Sequence, residues 1–582
     1  MAKQFSKKLI RALQVASLSL VLPFLFMFGK SLPEAFTATE VNQYIQKLKN
    51  SEDVVSLTAV AIGASRRQEN EALENLEKIN TNPHKNILLK FLIVIIVYLI
   101  FMPILWGALL LIHPLMLLRI NAAVESFSES SLGGWMRRLS LRELLLLNFF
   151  VYHKKVLDAW ISEYINEARS KIKQKEDFYL PTPVIVDGKV NNSLSVFDLQ
   201  AKFRQKQCYM LIWGEPGVGK SNIAYQIAKW AVAENSTQRL CSHLMLPIII
   251  EEDWGNVASF FIKRLGEHLQ ALINEVKPIP EELVVHLLQQ QRLLIIVDGL
   301  SEMSATARAE IQPSPNFPVK WLVVTSRLEE KLGDVVKNEI QPLRIDGSLT
   351  CSFLEDYISE IKMRSLFSEI EFIDACRDFY LRMGERNLPA MMVKMYAELM
   401  IAHQQGKIQG ELSTNIPAMM LQYLNHINDA VISGKLDNYI IQQDAKVLAW
   451  ECLKDSYQVA SIKRKDALAV LGEESNERFD YLEKRLCLVT NIEPNESVGF
   501  TIEPLAEYLA GLQVVEVNGD KEEAWREFLK KAESVLGGVD TVKTFLLAVR
   551  DCCLSEMIKV KVPDFVVSNL EQLTGLKPIQ EI

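Results

Sequence analysis

Residues Gly214, Glu215, Pro216, Gly217, Val218, Gly219, Lys220 and Ser221 place glycines, a lysine and a hydroxyl at the spacing G-x-x-x-x-G-K-[ST]. The chemistry that this spacing supports is the cradling of a triphosphate. Glycines at 214, 217 and 219 let the backbone curl until its N–H groups and the N-terminus of the next helix face anionic oxygens. Lys220 can then reach the β- and γ-phosphates, the Ser221 hydroxyl can ligate Mg²⁺, and Asn222 follows in the first helical turn. Downstream, the apolar run Leu293 to Val297 ends in Asp298, a carboxylate suited to a Mg²⁺ partner. A third apolar run, Trp321 to Val324, ends in Thr325, Ser326 and Arg327, and an arginine there can sense a γ-phosphate. Each feature alone has a plainer reading, a glycine-rich turn or an Asp-Gly turn. Together and in this order they imply a nucleoside triphosphate with Mg²⁺.

Three kinds of element must position these residues. Cys208 to Trp213 is apolar and aromatic enough for a buried strand, and Asn222 to Val232 carries apolar residues at helical spacing. Leu293 to Val297 and Trp321 to Val324 read as parallel strands buried on both faces. The expected fold is therefore an α/β P-loop NTPase, a parallel sheet between helices. Two prolines, Pro181 and Pro183, force an extended entry to it.

Asp298-Gly299-Leu300-Ser301-Glu302, followed by Thr325-Ser326-Arg327, resembles the NACHT branch of the signal-transduction (STAND) NTPases. Asn387-Leu388-Pro389 is similar to that family's helical-domain motif, whose proline packs near the adenine. Phe500 to Ala510 is similar to the end of its winged-helix domain, in which F-x-H-x-x-F-x-E-Y-L-A recurs. The resemblance covers roughly residues 180 to 515. It implies α-helical and winged-helix domains after the sheet, closure over ADP, opening on exchange for ATP, a homo-oligomer when active, and a trigger ligand or protein. Two positions depart from the pattern. Ser301 stands where the family usually has a second acid, so hydrolysis rests on Glu302 or is very slow. Ile502 stands where a histidine would contact the β-phosphate of ADP, and isoleucine donates no hydrogen bond.

Ahead of the NTPase, Phe91 to Ile112 holds 22 residues without charge, enough to span a bilayer core of roughly 30 Å. Pro103 lies inside it, which lipid-embedded helices tolerate. Ala12 to Gly29 is a second uncharged stretch behind Lys3, Lys7, Lys8 and Arg11, read as an uncleaved anchor, with a signal peptide as the alternative. Basic residues at the N-terminus and at Arg119, Arg137, Arg138 and Arg142 put both ends in the cytosol. Trp135-Met136-Arg137-Arg138 and Leu144 to Tyr152 fit either an amphipathic helix at the bilayer interface or a buried helix of the NTPase's shoulder. The expected organisation is a first transmembrane helix in 1–30, an extracytoplasmic loop in 31–88, a second transmembrane helix in 89–118 and a linker with interfacial helices in 119–178. The nucleotide-binding domain follows in 179–345, a helical domain in 346–405, a winged helix in 406–515 and a C-terminal helical segment in 516–582.

A net charge of −8 argues against a general nucleic-acid binder. All eight cysteines fall in the expected cytosolic part, so no disulfide framework is implied. No stretch shows the self-similarity of a repeat array. The sequence thus reads as a two-span, membrane-anchored nucleotide switch with slow ATPase activity. A membrane ATPase coupling continuous hydrolysis to transport or remodelling is the alternative, and a scaffold with structural nucleotide is a third reading.

Overall fold

Burial on both faces is the reason the strands of the nucleotide-binding region are almost wholly apolar. A computed structural model describes residues 83–131, 141–175, 179, 181–251, 261–314, 317–383, 387–408, 410–413, 415–492, 496–535, 538–555 and 559–576. The first expected membrane helix, residues 31–82 of the loop after it and residues 132–140 lie outside the described residues. The chain divides into two units, residues 1–105 and 106–582. Helix α1 (Pro83–Ile112) contains Pro103 and is followed by α2 (Leu115–Ser131) and α3 (Lys154–Lys175). Among the described residues, one helix, at Leu92–Ile112, is long and apolar enough to cross a membrane.

Residues 144–152 do not form the single helix expected. Two short turns, Leu141–Leu144 and Asn148–Val151, bury Leu147 and Val151, and Tyr152 stacks on His286 with ring centroids 4.1 Å apart. Arg142 pairs with Glu282 at 2.5 Å. These contacts seat the two turns against residues 282–286. Beyond them, α3 is tied to the nucleotide-binding region by Arg292 Nε donating to Asp158 at 2.7 Å and Arg169 Nε donating to the Val232 carbonyl at 2.7 Å.

The hairpin β1 (Val184–Val186) and β2 (Lys189–Asn191) leads to α4 (Val196–Phe203) and then to the central strand β3 (Cys208–Trp213). After α5 (Lys220–Ala231) come β4 (Leu246–Ile250), α6 (Phe261–Ile273), α7 (Glu281–Gln289), β5 (Leu293–Val297), β6 (Trp321–Ser326) and β7 (Asn338–Pro342). The sheet order is β2-β1-β7-β3-β6-β5-β4, with β7, β3, β6, β5 and β4 mutually parallel and β1 antiparallel to β7. Strand β6 thus separates the phosphate-loop strand from the Asp298 strand. Register pairs Trp213 with Ser326 and Val297 with Val324, so the loops after β3, β5 and β6 leave the sheet at one edge.

Beyond the sheet, one hydrophobic cluster runs from Ile345 to Leu570. Its first half is α8 (Gly347–Glu360), α9 (Glu369–Met383), α10 (Ala390–Gln404), α11 (Ile416–Asp429) and α12 (Asn438–Leu453). Then β8 (Ile462–Lys463), α13 (Arg464–Leu471), α14 (Ser475–Lys484), β9 (Val489–Ile492) and β10 (Ser497–Phe500) build a three-stranded antiparallel sheet flanked by helices, in the region expected as a winged helix. The chain closes with α15 (Glu503–Asn518), α16 (Glu522–Glu533), α17 (Lys543–Cys553) and α18 (Asp564–Thr574).

Helix α15 is the spine of this half. Pro504 to Leu512 are all buried, as a helix enclosed on every side requires. At Gly511 a side-chain carbon would lie 3.2 Å from Cys552 Sγ and 3.3 Å from the Val549 nitrogen, so glycine sets how closely α15 and α17 approach. Polar groups buried with them are partnered: Thr544 donates to Glu507 at 2.6 Å, Tyr508 donates to Asp551 at 2.8 Å, and Arg550 pairs with Glu571 at 2.5 Å.

Burial pushes the Glu507 carboxyl up from its ordinary 4.5 to about 8. Between those values the native chain holds a proton that the unfolded chain has released, so this group's contribution is full below about 4.5 and is lost as pH rises towards about 8. The thermal midpoint should therefore fall across that window, and Glu507→Gln, which does not titrate, should flatten the fall. Calorimetry at several pH values checks this; equal slopes in the two proteins would place the titration elsewhere.

Candidate functional site

The loop between β3 and α5 adopts the backbone its glycines allow. Gly217 and Gly219 have φ of 75° and 103°, values at which any other residue would be strained. Val218 is buried and anchors the turn, while Glu215 is held from outside by Arg344, whose Nη2 lies 2.5 Å from Glu215 Oε2. Lys220 opens α5, and its ammonium donates to the Glu215 carbonyl at 2.8 Å. Burial pulls its pKa down, with the Glu503 carboxylate opposing. Asn222, in the same first turn, has a buried amide oxygen without a partner.

The sheet edge brings the acid and the hydroxyls together. Ser221 Oγ donates to Asp298 Oδ1 at 3.1 Å, Thr325 donates to the same oxygen, and Gly299 N–H donates to Thr325 Oγ1 at 2.7 Å. The Thr325 contacts depend on β6 lying between β3 and β5. Burial raises the Asp298 pKa, against the two hydroxyl hydrogen bonds. Ser221 and Asp298 form an oxygen-only set that fits a hard divalent cation, and with the loop they fit a Mg²⁺-bound phosphate chain. Mg²⁺, when bound there, would offset phosphate charge and polarise the terminal phosphoryl group.

Arg327 stands at the centre of the remaining contacts. Its Nε donates to Glu302 Oε1 at 3.1 Å, its Nη1 to the Val459 carbonyl at 2.9 Å and its Nη2 to Glu503 Oε1 at 2.5 Å. Burial opposes the Arg327 charge, but Glu503 and Glu302 outweigh it and raise its pKa. Desolvation by the surrounding protein raises that of Glu302, opposed by Arg327 and reinforced by Glu503, although the half-exposed side chain limits the shift. Ser301 is not simply a missing acid, because its hydroxyl accepts from the Arg327 backbone N–H at 3.1 Å.

Two helices close on the loop. Met391 N–H donates to the Gly217 carbonyl at 3.1 Å, and a side-chain carbon on Gly217 would meet Pro504 Cγ at 2.7 Å, Met391 Cβ at 3.4 Å and Pro389 Cβ at 3.5 Å. Pro389 caps the start of α10 and shares with Pro216, Arg344 and Tyr508 a small cavity of about 40 Å³. Ile502 caps α15 and reaches no phosphate-loop group by hydrogen bond; Glu503, one residue on, is the side chain that does enter the site. Every sequence-expected residue thus lies at this one edge. Glu503, Pro504, Met391, Arg344 and the structural use of Thr325 were missed. Only Pro504 had a local signal, proline in the first turn of a helix.

Residues 536–578, which include α17 and α18, match the family model for NACHT C-terminal helical domain 4. That short stretch is thus similar to the C-terminal helical part of NACHT proteins. Among solved structures it is similar to a STAND protein with a tetratricopeptide repeat sensor from Pyrococcus horikoshii, at 12% identity and a TM-score of 0.28, over 64% of this chain and 49% of that one. The chain thus spans about half the length of that protein. No curated protein matches the sequence. The matched helices lie directly against α15, through Tyr508–Asp551 and Thr544–Glu507.

Lys220→Ala removes the ammonium that can pair with the β- and γ-phosphates, a charge-assisted contact worth about 1.5 to 3 kcal/mol. Retention of ATP and ADP should fall roughly ten-fold or more. Chromatography of nucleotide released from purified protein measures it, and unchanged affinity would move the site away from this loop.

Proposed function

We propose that this chain is a NACHT-type STAND NTPase and an ATP/ADP-controlled signalling switch, anchored in a membrane, whose cytosolic module associates with copies of itself when opened. The observation that carries the reading is the double use of Arg327. Its guanidinium lies at the sheet edge where a γ-phosphate would be sensed, and it holds Glu503 at the head of α15. The same Nη2 cannot serve both partners fully. Glu503 also draws on the charge of Lys220. An added γ-phosphate would therefore compete with Glu503 for two cations, whereas a diphosphate leaves Arg327 to Glu503. Closure by α10 and α15 over Gly217 belongs to the diphosphate arrangement, and its release would expose surface for association.

Slow turnover fits this better than a motor. In the closed form Glu302 is paired with Arg327, and Ser301 supplies no second carboxylate. Homo-oligomer formation and an effector output through clustered helices are the remaining parts of the proposal. Helix α1 supports the anchor, since Leu92, Ile93, Val97, Ile100, Leu111 and Ile112 are all exposed apolar side chains that hydrocarbon would accommodate.

Glu503→Ala should release the head of α15. Loss of one charge-assisted contact, about 1.5 to 3 kcal/mol, predicts ADP dissociation faster by roughly ten-fold or more and self-association at lower ATP concentration. Stopped-flow release of a fluorescent ADP analogue and light scattering read the two effects. If both match the unsubstituted protein, Arg327–Glu503 is not the lock.

The anchor is tested separately. With 12–29 and 91–112 both spanning, single cysteines placed at Ser56 or Asn75 should react with an impermeant thiol reagent in intact cells, and cysteines at Ser195 or Ser534 should not. Labelling of Ser195→Cys in intact cells would reverse the proposed topology.

A further inference from the structure

The parallel sheet has a second edge. The C-terminal ends of its strands carry the phosphate loop, whereas the residues just before β3, β4, β5 and β6 border a cavity of about 1060 Å³. Its volume is at the upper end of what small-molecule sites occupy, about 300 to 1,000 Å³. In a chain of net charge −8, six cations line it: Lys154, Arg204, Lys206, Arg239, Arg292 and Lys320. Asp158 is the one carboxylate in that lining, and it is already engaged by Arg292.

Most of this charge is unanswered by the fold. Arg292 also donates to the Gln290 carbonyl, and Arg239 donates to the carbonyls of Ala233 and Glu234. Lys154, Arg204, Lys206 and Lys320 have no ion-pair or side-chain hydrogen-bond partner among the described residues. Like charges gathered without counter-charge repel one another, and a concave wall of one sign focuses the potential and concentrates anions of the other. The floor is rigid and aromatic. His243 lies on Trp321 with ring centroids 5.5 Å apart and an interplanar angle of 14°, and Phe203 meets Trp321 edge-on at 5.6 Å. The Trp321 indole N–H, buried in that floor, has no acceptor.

We infer that this cavity is a second anion site, distinct from the phosphate loop, and that it takes a soluble small molecule bearing several phosphate groups. The Arg204 fork suits phosphate oxygens held two at a time, and the lysines add point charges around it. Nucleic acid fits less well, because the cations line one bounded cavity in an acidic chain rather than a stripe along its surface. The cavity is bordered by Lys154 and Asp158 at the start of α3 and by residues just before four core strands, so a ligand there touches α3 and the edge of the sheet together.

Inorganic tripolyphosphate is the probe, titrated by calorimetry into the full chain in detergent with ADP and excess magnesium filling the phosphate loop. One tripolyphosphate per chain should bind without displacing ADP, more weakly as salt rises. Lys206→Glu combined with Lys320→Glu should weaken that binding ~100-fold while ADP retention stays unchanged. If the double variant loses ADP, the milder Lys206→Gln with Lys320→Gln, for which a smaller loss is expected, replaces it. No binding to the ADP-saturated chain, binding indifferent to the substitutions, or tighter binding of a single-stranded oligonucleotide than of tripolyphosphate would each overturn the assignment.

Discussion

Gly217 touches both helices that close the site, and only a residue without a side chain permits it. Pro504 sits where a side-chain carbon on Gly217 would be, with Met391 and Pro389 on the other side. The turn therefore does two things at once: its positive φ shapes a phosphate cradle, and its bare surface seats the first turn of α15 and the start of α10. Movement of either helix changes what the loop touches. The coupling is one of direct contact, with no intervening residue.

What holds α15 in that position is its packing against α17. Thr544, Asp551 and the Arg550–Glu571 pair place ionic and hydrogen-bonded groups in an otherwise apolar cluster. Such groups cost desolvation and add little to stability, but they penalise any packing that leaves one unpaired. Here they fix the axial position of α15 against α17 and α18, the helices that match the NACHT C-terminal domain. Displacing those helices would strand Glu507 and Asp551 without partners and loosen the helix that reaches Gly217.

The phosphate loop was legible because its chemistry is local. Eight consecutive residues carry their own turn preferences, and the strand before them declares itself as an unbroken apolar run. Asp298 was legible for the same reason. The insertion of β6 between β3 and β5 was not, since strand order depends on crossovers and leaves no periodicity, and with it went the bond from Thr325 to Asp298. Glu503 was invisible because 176 residues separate it from Arg327, and a lone glutamate at a helix start usually answers the helix dipole. Ser301 was read as a loss; its hydroxyl accepting from Arg327 N–H shows that the position had acquired a structural use. The break between the turns Leu141–Leu144 and Asn148–Val151 was not legible either, since it follows from Leu147 and Val151 packing inward.

The exchange of a histidine for Ile502, with Glu503 beside it, changes the kind of closure this chain can have. A donor at that place would bind the nucleotide itself, so closure would be strongest with diphosphate present. A carboxylate cannot do that, since phosphate repels it. Glu503 instead closes the site by pairing with Arg327 and drawing on Lys220, both of which are also the cations a triphosphate would use. On the proposed reading, then, opening is a contest between two anions for the same partners. Screening would weaken both sides of it in proportion to their exposure, and Arg327 and Glu503, at 16% and 21% exposed, are sheltered enough for the pair to persist at physiological ionic strength.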